Sequence, residues 1–515
     1  MLENILLGFA TALSLQNLLY AFVGVLIGNA IGVLPGIGAL AAISMLLPIT
    51  YGLDPTGALM MLAGLYYGTS YGGAITSILL NVPGTVTHAV VCVDGNPMAR
   101  QGRAGPALFV AMAGSFLGAS CGIVILMLFS PLLAEAAFAF GPAEYFALML
   151  LGLLAASTLA VGSPLKGVSM VLVGMIAGVV GIDVNSGAAR FTFDVPELMD
   201  GLSLVALALG LFGVADVYAN ANRLGRRSFV TETRVTARTV RPEKGEMRRV
   251  LPAIGRGAGL GSFFGALPGT GGTLASFVSY GLEKRVSRTP ERFGRGAPEG
   301  VAGPESANSS ATITAFIPTL TLGIPGDAVM ALMLGAMMIH NIIPGPQLMA
   351  QHPTVFWGLV GTFWIASALL LILNLPLIGM WVKMLSIPYR LLYPAVLLFI
   401  CIGVYGETNS LFNVGVVLAV GLFGSLINRL GFEPAPALLG FILGPMMEEN
   451  FRRALLLAHG DLTVFLTRPI SGACMLVTFA MVALVTYKRL RRWPLARPGE
   501  PVRAVASSTQ PPPAA

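Results

Sequence analysis

The chain has 515 residues, of which 55% are hydrophobic and only 11% are charged, and its mean hydropathy is +0.79. A soluble domain usually carries about 25% charged residues, so this composition argues against a soluble protein and predicts an all-α polytopic membrane protein in a lipid bilayer. The net charge of +7 does not indicate a nucleic-acid partner. The basic residues collect in a few connecting loops and in the tail, as the positive-inside rule expects.

Apolar segments follow one another along the chain. Candidate membrane segments of the first half are 15–34, 39–50, 57–83, 107–133, 143–162, 166–182 and 201–220. Those of the second half are 251–267, 272–282, 306–325, 327–343, 355–380, 389–403, 411–430, 434–447 and 463–487. Several are too short to cross a bilayer alone, which predicts broken or re-entrant elements. No cleavable signal peptide is expected, because the first residues lack a basic start and a cleavage pattern.

The sequence repeats itself once. A ladder of four glycines that begins at Gly24 recurs 233 residues later from Gly257 (257 against 24), and both ladders end in a Leu-Pro-Gly phrase. Further on, the phrase NVPGT at 81–85 is matched by GIPGD at 323–327, which lies 242 residues later (323 against 81). Glycines at every fourth residue also make a close-packing helix face, which explains the ladders but not the phrase at their ends.

The repeat divides the chain into four regions. We expect a first membrane repeat at 1–220, a basic cytoplasmic linker at 221–250, a second membrane repeat plus a final helix at 251–487, and a disordered cytoplasmic tail at 488–515. The linker and the tail are rich in Lys and Arg, which places both in the cytoplasm. With the linker in the cytoplasm, the second hairpin enters the membrane from the cytoplasmic side. The first hairpin is then expected to enter from the opposite side. The two repeats are therefore expected to be inverted, as in many secondary transporters.

The two Leu-Pro-Gly phrases are expected to form the tips of re-entrant hairpins. A helix starts just after each tip, and its first amides and positive dipole end suit a carboxylate. An ordinary Pro-Gly turn is the alternative for either copy alone, but two copies at matching places favour a function. The residues predicted to bind substrate here are Pro35, Gly36, Gly38, Pro268, Gly269, Thr270, Gly271, Gly272 and Thr273.

Two further Pro-Gly pairs interrupt apolar segments. Proline removes an amide donor and glycine tolerates unusual dihedral angles, so each pair leaves backbone groups without helix partners. Inside a membrane such groups persist only where protein or a water-filled cavity satisfies them, which predicts a binding site for a small polar solute or ion. The residues predicted to contribute to substrate binding are Asn81, Pro83, Gly84, Thr85, Pro325 and Gly326.

Small polar residues crowd the segments upstream of these breaks. Their oxygen atoms suit Na⁺ or H⁺ as the coupling ion, and no other cofactor and no bound metal are predicted. The residues predicted to couple a cation are Ser70, Asn308, Ser309, Ser310 and Asp327. Polar contact between helices is the alternative for the Asn-Ser cluster. Asp327 stands at a helix start, where a carboxylate is favoured with or without a function.

Enzymatic motifs are weak. Residues 68–72 match the hydrolase pattern G-x-S-x-G, with His88 or His340 as a partner, but the strand-turn-helix context of a nucleophile elbow is not expected. The four cysteines lie far apart in or beside apolar segments and fit packing rather than metal binding. We expect no catalytic residues, and an intramembrane serine hydrolase that uses Ser70 remains the alternative.

Five segments resemble the large membrane subunit of the tripartite tricarboxylate transporters. They are GVLPGIG (32–38), YYGTSYGGAITSILLNVPGT (66–85), GALPGTGG (265–272), PESANSSATITAFIPTLTLGIPGDAV (304–329) and LGPMMEENFRRAL (443–455). The resemblance implies a permease of the bacterial inner membrane that takes up citrate-like carboxylates on a cation gradient. It also implies two separate partners, a periplasmic substrate-binding protein and a small membrane subunit.

The repeat and the resemblance together predict a secondary transporter. In this elevator-like arrangement one repeat unit moves against a scaffold and exposes the site alternately to either side. Both hairpin tips and both broken helices are expected to converge near the middle of the membrane. A channel-like pore is the alternative among membrane proteins.

Overall fold

The computed structural model is almost entirely helical, with one short two-stranded sheet among the residues that it describes. Those residues are 2–34, 38–81, 83–159, 163–183, 186–220, 245–267, 271–384 and 389–492. Within them, the helices long and apolar enough to cross a membrane are Leu15–Val33, Val91–Ala137, Pro353–Asn374 and Leu411–Arg429. Shorter apolar helices accompany these four. The predicted all-α polytopic membrane fold is confirmed.

The first half of the chain contains ten of the described helices. They are α1 (Leu2–Ala12), α2 (Leu15–Val33), α3 (Ala39–Thr50), α4 (Pro55–Leu80), α5 (Val91–Met98), α6 (Ala104–Ala137), α7 (Pro142–Leu159), α8 (Pro164–Gly178), α9 (Leu204–Ala208) and α10 (Ala215–Asn220). Short 3₁₀ turns lie at Val86–Ala89 and Pro196–Leu198, and π-helical segments at Ala99–Arg103 and Leu209–Val214. The strands β1 (Gly181–Ile182) and β2 (Ala189–Arg190) pair antiparallel, with Gly181 opposite Arg190.

The second half contains the remaining described helices. They are α11 (Glu246–Ala266), α12 (Gly271–Val286), α13 (Glu299–Thr314), α14 (Phe316–Leu322), α15 (Ala328–Ile339), α16 (Leu348–Gln351), α17 (Pro353–Met384), α18 (Tyr389–Thr408), α19 (Leu411–Arg429), α20 (Ala435–Leu457), α21 (Val464–Thr467) and α22 (Pro469–Arg492). A 3₁₀ turn at Pro290–Arg292 precedes α13.

Three boundaries differ from the sequence prediction. No helix is predicted before residue 15, but α1 forms and packs on α17, since a glycine at position 8 lets the two backbones approach. The helix α11 begins inside the predicted linker, where the carboxylate of Glu246 is bound by Arg103 at 2.7 Å. The last helix runs to Arg492, beyond Lys488, where the sequence predicts that the tail begins.

The internal repeat is visible in two equivalent helix pairs. The helix α2 packs on α4, and α11 packs on α13. A Cβ atom added at Gly28 would meet the backbone carbonyl of Leu65, and one added at Gly261 would meet that of Ala307. Gly261 lies 233 residues after Gly28, and Ala307 lies 242 residues after Leu65, which are the two shifts seen in the sequence. Glycine therefore serves the same close helix packing in both halves, while the inverted orientation stays a prediction.

The helices α4 and α13 form the centre of the molecule. Almost every residue of each is buried, although α13 carries many polar side chains. The helix α13 packs against α6, α11 and α12 and also touches α4 and α5. The two helices that precede the predicted breaks therefore lie next to each other, and they bring the two halves of the chain together at their polar residues.

Candidate functional site

A cavity of about 550 Å³ lies where the two halves of the chain meet. The starts of α3, α12 and α20 and the breaks after α4 and α14 build its wall. The predicted site residues that line it are Gly38, Ser70, Pro83, Gly84, Thr85, Gly271, Gly272, Thr273, Asn308 and Asp327. Small-molecule sites commonly enclose roughly 300–1,000 Å³, so the cavity can hold a carboxylate of a few carbon atoms.

Five other predicted residues stand outside this lining. They are Asn81, Ser309, Ser310, Pro325 and Gly326. The hydroxyl of Ser310 lies 2.5 Å from that of Ser262, so it joins α13 to α11, as the alternative of polar contact between helices predicts. Asn81 ends α4 in the left-handed region with φ +56°, and the buried amide of Gly326 donates to Thr319 Oγ1 at 3.4 Å. Asn81 and Gly326 therefore belong to the two breaks but lie outside the cavity lining.

The tips of the two predicted hairpins fall in segments that the structure leaves out. Pro35, Gly36, Pro268, Gly269 and Thr270 lie outside the described residues. The helix starts that follow the tips are described and face the cavity: α3 begins after Gly38 and α12 begins at Gly271. The first amides of a helix have no acceptor within it and carry the positive end of its dipole, so both starts favour an anion.

Asp327 begins α15 and also lines the cavity. Its carboxylate accepts a hydrogen bond from the amide of Met330 at 2.8 Å, which caps the helix. It accepts a second hydrogen bond from the hydroxyl of Tyr66, on α4, at 3.0 Å. The predicted helix start at this residue is confirmed. The carboxylate combines a capping role with a place on the cavity wall.

Asn308 and Ser70 connect the two central helices. The side-chain amide of Asn308 donates to Ser70 Oγ at 2.9 Å, and both side chains are buried at the cavity wall. Thr312, one turn further along α13, donates to the carbonyl of Asn308 at 2.9 Å and also lines the cavity. A row of hydroxyl and amide groups therefore runs along the face that the two repeats share.

The cavity lining contains acidic side chains. Three carboxylate side chains contribute to it, from Asp216, Asp327 and Glu433. Among the residues that the structure describes, the lining includes no Lys, Arg or His. The helix starts therefore offer amides and hydroxyls to an anion, whereas Asp327 offers carboxylate oxygens to a cation.

Two buried residues next to the cavity were not predicted to bind substrate or cation, and of these only His88 was named, as a possible hydrolase partner of Ser70. His88 lies in the turn after the first break and Glu305 lies in α13, and both are 1% exposed or less. His88 Nε2 and Glu305 Oε1 are 3.6 Å apart. Each residue alone gives a signal, because an ionisable side chain within an apolar membrane segment is functional by default. Their pairing follows from the packing of α13 beside the turn.

Of the two histidines named for the hydrolase alternative, His88 lies near Ser70, but the nucleophile elbow is not formed. The amide nitrogen of Asn308 is 2.9 Å from Ser70 Oγ and 3.4 Å from His88 Nε2. Ser70 lies inside the continuous helix α4 and accepts a hydrogen bond from Asn308, so it does not occupy a strand-to-helix elbow. His340 lies at the end of α15. The cysteines are free, and no cluster of His, Cys, Asp and Glu suited to a metal occurs in the described parts of the chain.

Comparison with known proteins shows the family. The model of the tripartite tricarboxylate transporter TctA family matches residues 18–439. An Agrobacterium vitis protein described as "Uncharacterized 52.8 kDa protein in TAR-I ttuC' 3'region" is 48% identical over 491 residues, which cover 95% of this chain and 97% of that protein. A second, from the "TAR-II ttuC' 3'region" of the same organism, is 51% identical over 231 residues, 45% of this chain and 96% of that protein. No solved structure matches the chain. The chain belongs to the tripartite tricarboxylate transporter TctA family.

Proposed function

We propose that this permease imports tricarboxylates or related carboxylates as a secondary transporter driven by a Na⁺ or proton gradient. The observation that carries the proposal is the cavity of about 550 Å³, where two helix starts and two helix breaks from both repeats converge. Broken helices around a central site are the usual construction of secondary transporters, because half-helix ends offer backbone groups to a charged solute.

The anion is assigned to the two helix starts. The first turns of α3 and α12 line the cavity through Gly38 and Gly271 to Thr273, and helix starts bind carboxylates through backbone amides. The hydroxyl of Thr273 and the side chain of Asn308 add hydrogen-bonding groups to the same wall. The site thus binds a polyanion with backbone amides and neutral side chains.

The coupling cation is assigned to the acidic part of the wall. Asp327, Ser70 and Asn308 bring carboxylate, hydroxyl and amide oxygens to the cavity. A polyanionic substrate and the carboxylate of Asp327 repel each other in a medium of low dielectric constant. Entry of a cation with the substrate reduces this repulsion. That mutual stabilisation is the physical basis of symport in this proposal.

The permease is proposed to work in the bacterial inner membrane with two partners. A periplasmic substrate-binding protein would deliver the carboxylate, and a small membrane subunit would complete the complex. The basic linker and the tail would lie in the cytoplasm. The proposed elevator-like movement carries the cavity, with its two helix starts, past a fixed part of the protein. The contact between α4 and α13 would move with the site.

Uptake by the reconstituted complex tests the function. Proteoliposomes that contain the permease and the small subunit, with the binding protein added outside, are given labelled citrate, succinate or malate with and without imposed Na⁺ and proton gradients. We expect accumulation of at least one carboxylate above its external concentration only when a cation gradient is present. Accumulation that needs no gradient, or none with any of the carboxylates, contradicts the proposal.

A matched pair of variants ties the transport to the cavity. Thr273→Val removes a hydroxyl of the lining at nearly constant shape, and Ser279→Ala removes a buried hydroxyl of the same helix away from it. A hydrogen bond to a charged group contributes about 1.5–3 kcal/mol, so Thr273→Val should raise the KM for the carboxylate roughly tenfold or more. Ser279→Ala should leave it unchanged. Equal effects of the two substitutions on the KM would show that the substrate does not bind at this part of the cavity wall.

The remaining alternatives give different results in the same assay. A channel-like pore equilibrates the labelled carboxylate and never concentrates it, whatever cation gradient is imposed. An intramembrane hydrolase using Ser70 loses its hydrolytic activity in Ser70→Ala. If the protein is a transporter, Ser70→Ala should still fold and should change only the affinity for the cation or the substrate.

A further inference from the structure

A buried acid and a buried imidazole lie together just behind the cavity wall. Glu305 and His88 are 1% and 0% exposed, and His88 Nε2 lies 3.6 Å from Glu305 Oε1. The second carboxylate oxygen of Glu305 accepts a hydrogen bond from the hydroxyl of Ser115, on α6, at 3.1 Å. Within the described residues, Glu305 Oε1 has no hydrogen-bond donor. The carboxylate therefore has an open acceptor position directed at the imidazole.

Side chains of the cavity wall contact the imidazole directly. The hydroxyl of Thr85 lies 2.7 Å from His88 Nδ1, and that of Thr87 lies 3.2 Å from the same atom. On the other side of the ring, the amide nitrogen of Asn308 lies 3.4 Å from Nε2. Thr85, Thr87 and Asn308 all line the cavity. A continuous chain of polar atoms therefore leads from the cavity through His88 to Glu305.

We propose that His88 and Glu305 form a proton-binding site whose occupancy is coupled to carboxylate transport through the cavity. With His88 neutral and Glu305 ionised, the buried pair carries one negative charge. An uncompensated charge is costly in a protein interior, and one bound proton removes it. The coupling half of this inference rests on the proposed function, whereas the proton site itself does not.

The proton transfer uses only the atoms in this chain of contacts. The hydroxyl of Thr85 gives its proton to His88 Nδ1 and takes one from the aqueous cavity. The imidazolium then gives its Nε2 proton to Glu305 Oε1, as their 3.6 Å separation closes to hydrogen-bond length. The imidazole ends neutral and Glu305 becomes a carboxylic acid. The cavity has lost one proton, and no other group changes its charge.

Other ionisable groups lie on the elements around α13 and the turn that holds His88. They are Tyr67 and Tyr71 on α4, Cys92 and Asp94 on α5, Arg256 on α11, Glu283 on α12, and Asp327 across the cavity wall. The acidic members have partners of their own. Asp94 accepts three backbone amides and the hydroxyl of Tyr280, and Glu283 pairs with Arg256 through both carboxylate oxygens. Glu305 differs from both because, among the described residues, its Oε1 accepts from no donor and has the His88 imidazole 3.6 Å away.

Infrared spectroscopy tests the proton site without any transport. The purified full-length chain in lipid is taken through a pH titration, and the C=O stretching band of protonated carboxylic acids is followed in difference spectra. We expect a titrating band in the wild type that is lost in Glu305→Gln and has a shifted midpoint in His88→Gln. The matched control is Glu283→Gln, a buried carboxylate of the adjacent helix α12, which should keep the band.

The folding of each variant is measured separately, so that a lost infrared band is not confused with unfolding. Size-exclusion profiles and thermal unfolding show whether each variant retains the native state. If Glu305→Gln does not fold, Glu305→Asp replaces it, because that variant keeps an ionisable group and should shift the band without removing it. A band that is unchanged in the folded Glu305 variants overturns the proposal.

Transport of citrate by the reconstituted complex tests the coupling. The external pH is held constant, so that the ionisation of external citrate does not change, and the lumen is made alkaline. We expect the wild type to accumulate citrate, and we expect Glu305→Gln to lose that accumulation while retaining citrate counterflow. A purely structural role would lose both.

The two measurements separate the two claims. If Glu305→Gln accumulates citrate with the same response to lumenal pH as the wild type, the coupling is overturned. If the wild type transports neither citrate nor another carboxylate, the proposed function fails. The infrared titration still decides in that case whether Glu305 and His88 bind the proton.

Discussion

The two helix breaks at the cavity have a similar backbone pattern but differ in their side chains. Asn81 caps the C-terminal end of α4 with φ +56°, and Gly323, which lies 242 positions later, caps that of α14 with φ +68°. Four residues after each, Thr85 and Asp327 begin a new helical segment. In the first break the Thr85 hydroxyl contacts His88, and in the second the Asp327 carboxylate caps α15.

The difference indicates how a duplicated backbone acquires two roles. Each half of the chain contributes an equivalent break to the one cavity, with a left-handed residue, a Pro-Gly pair and a new helix start. The side chain at the new helix start is neutral in one half and charged in the other. We therefore expect substitutions at equivalent positions that determine the backbone, such as the ladder glycines, to have similar effects on stability in both repeats. Substitutions at the helix starts should act differently.

The largest effect is expected from making the second break resemble the first, with Asp327→Thr. Threonine also caps helices, so the start of α15 should be retained while the charge at the cavity is lost. Coupling between two ligands commonly amounts to about 1–3 kcal/mol, so the effect of the cation on the carboxylate KM should decrease about 5- to 150-fold. Uptake at saturating and at zero Na⁺, and at two lumenal pH values, measures it.

The control for this substitution is a second aspartate that caps a helix. Asp54 accepts a hydrogen bond from the amide of Gly57 at 2.8 Å at the start of α4, and it is not part of the cavity lining. Asp54→Thr should leave the cation response as in the wild type. If Asp327→Thr behaves in the same way, its carboxylate only caps α15.

The shared backbone is probed next, at the glycine ladders. Gly28→Ala and Gly261→Ala each place a methyl group against a backbone carbonyl of the partner helix. Overpacking of this kind costs about 1–3 kcal/mol, and the two losses should be equal within error. Because the four cysteines are free, a thiol-reactive fluorophore can report thermal unfolding of the full chain.

A glycine of the same helix supplies the control for the ladders. A Cβ atom at Gly259 of α11 has open space around it, so Gly259→Ala should not destabilise the protein. Destabilisation by only one of the two ladder substitutions would mean that the helix pairs do not pack equivalently.

Much of this cavity could be predicted from the sequence, because the breaks are encoded locally. A Pro-Gly pair in an apolar segment interrupts a helix wherever the segment lies, and repetition at constant spacing identified equivalent positions in the two halves. The breaks after α4 and α14 and the helix start at Asp327 follow from these local rules. The polar cluster of α13 was predicted as a unit, but Ser310 bonds to Ser262 on α11, whereas Asn308 faces the cavity.

The pairings across the cavity could not be predicted in this way. Tyr66 binds Asp327 because α4 packs beside α15, and Asn308 binds Ser70 because α4 packs beside α13. Nothing in any of these helices specifies its register on its neighbour. His88 and Glu305 meet for the same reason. Helical periodicity gives the face on which each side chain lies, but the packing of two distant segments decides its partner.

The left-handed residue of the first break should have an intermediate effect. Asn81→Ala places a residue with a Cβ and no compensating polar group at φ +56°, which costs roughly 1–2 kcal/mol. Asn81→Gly copies the residue of the second break and should be as stable as the wild type or more so. Thermal midpoints of the two variants measure the difference. Equal midpoints for Ala and Gly would show that the break does not depend on this conformation.

The smallest effect is expected from the hydroxyl that joins the first repeat to the charge of the second. Tyr66→Phe removes one of two hydrogen bonds to Asp327, and the amide of Met330 retains the other at 2.8 Å. A hydrogen bond to a charged group contributes about 1.5–3 kcal/mol, but the carboxylate itself is retained, so the cation response should change in the same direction as in Asp327→Thr but less. Tyr71→Phe is the control on the same helix, since its hydroxyl has no hydrogen-bond partner among the described residues. If the cation response changes in Tyr71→Phe and not in Tyr66→Phe, the hydrogen bond from Tyr66 to Asp327 does not contribute to cation coupling. The two repeats would then not be coupled through this contact.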